Sequence, residues 1–182
     1  THLYRPPGST VSPTSGTNYT SGLHPREWLF SPDFNTTPYD SLLTIAAAIT
    51  TTSGNKIKGN KRYRNTSIDL NTYTDSTLYL SGKLTLQGVT VTGGDATRPA
   101  VIVAGTDVIA EERRGTETTF GDNIVLITGD DILLNDATEY GLDHSGLTPE
   151  NRPQTFNMLF GRDNIDIQTN VEAWAQTFAN DD

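Results

Sequence analysis

The residues best suited to chemistry in this chain are aspartates that recur beside a glycine. Gly129-Asp130-Asp131 carries adjacent carboxylates, Asp107 follows Gly105 by two positions, and Asp163 and Asn164 follow Gly161. Paired carboxylates on either side of a groove hydrolyse glycosidic bonds, one as acid and the other as base or nucleophile. The same oxygens, stacked, suit Ca²⁺, a hard ion that takes six to eight of them. A third use is structural, because Asp and Asn side chains accept hydrogen bonds from nearby amides at turns. If the repeats stack in register, Asp107, Asp131 and Asn164 lie above one another, with Asp130 and Asp163 beside them. The structural use is then the favoured reading, and no residue is assigned as a catalytic group, a metal ligand or a cofactor contact.

Other chemistries find less support. His2, His24 and His144 are too few and too widely spread for a zinc site. His24-Pro25-Arg26-Glu27 reads as a turn with a surface histidine. There is no cysteine, so there is neither a disulfide framework nor a thiolate site. No Gly-x-Ser-x-Gly elbow and no phosphate-cradling loop occurs. On a right-handed β-helix, Gly-Asp-Asp before an aliphatic residue resembles one motif of the polygalacturonase family. That family adds Asn-Thr-Asp, Gly-His-Gly and Arg-Ile-Lys on neighbouring coils, and this sequence has none of them. Thr90-Val91-Thr92 is one Thr-x-Thr unit, expected by chance in a Thr-rich chain, where an ice-binding face needs one on every coil. The chain reads as non-enzymatic, with carbohydrate-active or carbohydrate-binding β-helix and Ca²⁺-stabilised adhesin as the alternatives.

Composition narrows the partners. The formal net charge is −9 over 182 residues, against nucleic acid as a ligand, since phosphate binding needs clustered Lys and Arg. The one basic cluster, Lys56, Lys58, Lys61, Arg62 and Arg64, reads as a solvated face, with a small anionic docking patch as the other option. Threonine occurs 29 times, and richness in Thr, Asn, Gly and Ser suits exposed β-structure at a cell surface. No apolar run is long enough to span a bilayer. The chain starts at Thr1, which suggests a processed or truncated piece whose anchor would lie upstream.

These residues need a frame to hold them, and the stretch from Leu78 to Ile167 provides one. Short aliphatic runs flank a glycine or polar corner at Leu80–Leu86, Val103–Ile109, Ile127–Leu133 and Phe160–Ile167. Leu78, Leu80, Leu84 and Leu86 alternate with polar residues, as in a half-buried strand. Gly82, Gly105 and Gly129 are spaced by about one coil of a repeat architecture. The pattern predicts a mainly β fold, a right-handed parallel β-solenoid. Residues 1–38 are rich in Pro, Gly and Ser and predict an extended arm anchored by Trp28, Leu29, Phe30 and Phe34. Residues 39–182 form the domain. A helix is predicted over 39–50, N-capped by Asp40 or Ser41, with Leu42, Ile45, Ala46 and Ile49 on one face, as a lid for one end of the stack. A second over 171–179, with Trp174 and Phe178 on one face, would close the other end. Two excursions, Ala110–Asp122 and Glu139–Gln154, break the rhythm, and Glu111–Glu117 and Tyr140–Pro153 within them are the expected contact surfaces.

The stretch from Ser31 to Gly93 has a further likeness. Ser-Pro-Asp-Phe leads into the Ala-rich segment Leu42–Ile49, then Ile57-Lys58-Gly59-Asn60, Ser67-Ile68-Asp69-Leu70 and Thr77–Gly88. Together with Asn123–Ile132 this resembles the C-terminal β-solenoid region of PilX-like pilus-assembly proteins and related minor pilins of type IV pilus systems. The pilin helix of that family is absent from this sequence. The resemblance implies an extracellular, non-enzymatic part of a pilus-like filament, working in adhesion or filament assembly. Its partners would be other pilin subunits or cell-surface ligands, without a cofactor.

Overall fold

A computed structural model describes residues 37–95, 97–135, 138–142, 146–151, 157–167 and 174–177. The chain winds through three faces in turn. The first coil holds β1 (Lys56–Ile57), β2 (Lys61–Arg64) and β3 (Ser67–Asp69). The second holds β4 (Thr77–Leu80), β5 (Leu84–Gln87) and β6 (Thr90–Thr92). Then come β7 (Ala100–Ala104), β8 (Val108–Glu111) and β9 (Thr118–Phe120), followed by β10 (Ile124–Thr128), β11 (Ile132–Leu134) and β12 (Thr138–Tyr140). Last are β13 (Met158–Gly161), β14 (Ile165–Ile167) and β15 (Trp174–Thr177). Through β14 every third strand joins the same sheet, and β15 then returns to the first, giving a first sheet β1-β4-β7-β10-β13-β15, a second β2-β5-β8-β11-β14 and a third β3-β6-β9-β12. All the strand pairings are parallel, so the expected β-solenoid is the fold.

The core follows from alternation. Leu78, Leu80, Leu84, Leu86, Val89 and Val91 are all fully buried, as the period of two predicts. They stack on their counterparts one coil along: Leu84 on Val108 on Ile132 in the second sheet, and Val91 on Phe120 in the third. Tyr140 continues that third column and is buried. Its hydroxyl donates to the Ile124 carbonyl at 2.6 Å, with the Met158 carbonyl 3.2 Å away, so the phenol is satisfied where water cannot reach. Glu139 and Tyr140 therefore belong to the stack, and the second excursion starts only after them.

The first sheet is apolar on both faces, since all five residues of β7 and all five of β10 are buried. Its outward side chains Val101, Val103, Val125, Ile127, Met158 and Phe160 would face water without a cover. The helix α1 (Thr37–Ala47) supplies it, placing Tyr39, Leu42 and Ala46 against them. The Tyr39 and Phe160 rings stack with centroids 4.6 Å apart. This corrects the predicted lid: α1 lies along the flank of the stack, across β4, β7 and β10. The buried stripe is Tyr39, Leu42 and Ala46, while Ile45 is 40% exposed. The helix also begins earlier than predicted, with Pro38 in its first turn, where a missing N–H costs nothing. Asp40 thus lies inside the first turn and does not cap it; its carboxylate pairs with Arg162.

The predicted second helix is also corrected. Trp174–Thr177 is a strand that pairs in parallel with Met158–Gly161 and extends the first sheet. The unpaired N–H and C=O groups along β13 outweigh the helical spacing of the aromatics, because a strand satisfies a sheet edge and a helix does not. Phe178, the predicted anchors Trp28, Leu29, Phe30 and Phe34, and most of the predicted arm lie outside the described residues.

Candidate functional site

The acidic residues meet at the corner between the first and second sheets. Every passage there takes three residues: Lys58-Gly59-Asn60, Ser81-Gly82-Lys83, Gly105-Thr106-Asp107, Gly129-Asp130-Asp131 and Arg162-Asp163-Asn164. Asp107, Asp131 and Asn164 therefore share one column, which begins with Asn60 and Lys83, and Asp130 and Asp163 share the next. The backbone follows the same register, since the Asp130 amide donates to the Thr106 carbonyl and the Asp163 amide to that of Asp130.

The side chains of the third column tie successive coils together. The Lys83 amide donates to Asn60 Oδ1 at 2.8 Å, the Asp131 amide to Asp107 Oδ1 at 3.2 Å, and the Asn164 amide to Asp131 Oδ1 at 3.1 Å. Lys83 Nζ lies 3.7 Å from Asp107 Oδ2. The glycines here answer a need for clearance, since none of Gly82, Gly105 and Gly129 has a positive φ. An added Cβ would sit 2.4 Å from the Ser81 carbonyl oxygen at Gly105 and 2.2 Å from that of Gly105 at Gly129. Only a residue without a Cβ lets the coils approach that closely.

Oxygens of Asp107, Asp130 and Asp131 lie within 4.8 Å of one another. Partial desolvation at the corner, reinforced by the carboxylates of Asp107, Asp131 and Asp163, pushes the Asp130 carboxyl above its ordinary value. A glycosidase pair stands about 5–9.5 Å apart across a bond to be cut. Here three carboxylates crowd closer than that, and two of them accept backbone amides. A hard cation would draw one or two oxygens from each of them toward the six to eight it takes. The arrangement fits best with holding coils together. His2, His24 and His144 lie outside the described residues.

Sequence reasoning missed a second ladder, at the corner between the second and third sheets. Arg64 Nε donates to Gln87 Oε1 at 2.9 Å, Gln87 Nε2 donates to Glu111, and Asn135 Nδ2 reaches Glu111 Oε2 at 3.4 Å. The spacing was there to read, since 64, 87, 111 and 135 are 23 or 24 residues apart. The basic cluster occupies the first coil. β2 is the outer strand of its sheet, and Lys61, Arg62 and Arg64 are exposed on it. Charged residues on an edge strand discourage pairing with other chains.

The two excursions border the third sheet. The first is a tight turn, Arg113-Arg114-Gly115-Thr116, in which Arg113 and Thr116 exchange backbone bonds at 2.9 and 3.0 Å. Its central residues have φ of 51° and 79°, as a two-residue hairpin turn requires. The second leaves after Tyr140 and returns at Asn157, with a short 3₁₀ turn at Pro149–Asn151. Asn157, buried, accepts from the Asn123 amide at 2.8 Å and donates to the Gly121 carbonyl at 2.9 Å, so it fastens the returning chain. Compared with protein-family models, with curated proteins and with solved structures, the chain matches none.

Proposed function

We propose that this chain is a non-enzymatic display module, a rigid β-solenoid that carries contact surfaces outside the cell on a pilus-like filament. The observation that supports it is the use of the carboxylates: Asp107 and Asp131 accept amides of the next coil. The interruptions then hold the contacts, and both flank the third sheet, whose outward Ser67, Thr90 and Thr92 are exposed. The filament and the cell-surface location rest on the likeness of Ser31–Gly93 to PilX-like proteins. Deleting the gene and measuring filament number and attachment tests the reading. Loss of either is the expected result, and unchanged piliation with unchanged attachment would contradict it.

A further inference from the structure

A shallow groove of about 330 Å³ lies where the first excursion leans over the third sheet. Its floor carries the hydroxyls of Thr66, Ser67 and Thr90, and Arg113, Arg114 and Thr116 form its wall. Gly88 lets the turn sit down on the stack: a Cβ there would be 3.3 Å from Arg113 Cβ and 3.4 Å from Thr116 Cβ. Neither arginine has a carboxylate partner among the described residues, although three glutamates lie within four positions. Glu111 is engaged by Gln87 and Asn135, and Glu112 accepts the Gly115 amide at 2.6 Å. Arg113 Nε is buried and has no hydrogen-bond partner among the described residues. A buried donor without an acceptor is costly and calls for a reason.

We infer that this groove binds an acidic saccharide, with Arg113 taking its carboxylate and the Thr and Ser hydroxyls its ring hydroxyls. The guanidinium offers Nε–H and Nη–H as a fork that matches a carboxylate with two parallel bonds. A small swing of the side chain brings Nε out to the ligand and gives it the acceptor it lacks. Hydroxyl groups on a flat β-face exchange hydrogen bonds with a polyol at little cost in ordering, because the strands already hold them. The inference rests on the display reading, in which the excursions are contact surfaces, and names the ligand class of one of them.

The test is binding of trigalacturonate to the full chain, with its methyl-esterified form as the uncharged counterpart. Binding is expected to be at least tenfold weaker for the ester and at least tenfold weaker for Arg113→Ala. Arg113→Lys should recover only part of the loss, since lysine lacks the fork. Arg98→Ala, which breaks an exposed pair with Asp75 at 2.8 Å elsewhere, should bind like the parent chain. Because Arg113→Ala removes an unsatisfied donor, its melting temperature should not fall, which separates lost binding from lost fold. Equal binding of acid and ester, parent-like binding by Arg113→Ala, or equal binding of a short DNA strand would each overturn the inference. So would absence of trigalacturonate binding in a chain whose deletion abolishes attachment, a result that leaves the display reading standing.

Discussion

Asp130 is exposed at the corner beside three other carboxylates. Its carboxyl is raised above the ordinary value by desolvation and by Asp107, Asp131 and Asp163. The folded chain therefore binds this proton at a higher pH than the unfolded chain does. Its contribution is fully present below the unfolded pKa and is lost as pH rises through the folded value. Asp130→Asn should raise the melting temperature at neutral pH, and the gain should vanish in acid; pH-dependent thermal unfolding checks this. A cation held at the corner would reverse the sign in calcium, because the substitution would then delete a ligand. Gly129→Ala tests the close approach. Its Cβ would meet a carbonyl oxygen of the preceding coil at 2.2 Å. Overpacking of that kind costs about 3 kcal/mol, measurable by urea unfolding. Tyr140→Phe should cost about 1–3 kcal/mol, since the buried Ile124 carbonyl loses its donor.

At the scale of elements, α1 acts as the cover of a two-faced apolar sheet. Leu42→Ala should destabilise by about 2–3 kcal/mol, and should increase binding of a hydrophobic dye as Val103 and Ile127 lose their cover. What the sequence made legible here was periodicity. The alternating leucines of β4 and β5 announce inward columns, and the spacing of Asp107, Asp131 and Asn164 announces a ladder. What it hid was context. The helical spacing at Trp174 and Ala175 is real, yet a neighbouring strand with unpaired backbone takes them into a sheet. The runs in β7 and β10 show that a second face is buried, but not what covers it. The glycines are likewise less regular than they look. Gly105 and Gly129 hold the first corner position and Gly82 the second, while Arg162 stands where Gly129 stands one coil before. Backbone clearance between coils, and not turn geometry alone, decides which position needs glycine.

The whole molecule is a stack in which each coil touches chiefly its neighbours, so stability should grade from the ends inward. Hydrogen exchange should find the amides of Ala100–Ala104 and Ile124–Thr128 the slowest, and those of the exposed edge Lys61–Arg64 among the fastest. The charge map follows the same axis. Residues 56–64 carry five cations and no carboxylate in a chain of net −9, so the first coil stands apart from an otherwise acidic body. The aspartates that chemistry would choose are coil ties. The corner column itself suggests the test, since it holds Asn60 and Asn164 in the place of Asp131. Thermal unfolding of Asp131→Asn and Asp131→Ala compares a side chain that keeps the amide acceptor with one that loses it. The Asn variant should match the parent and the Ala variant should lose about 1 kcal/mol. Equal stability of the Ala variant and the parent, or equal loss in both variants, would contradict the coil-tie role.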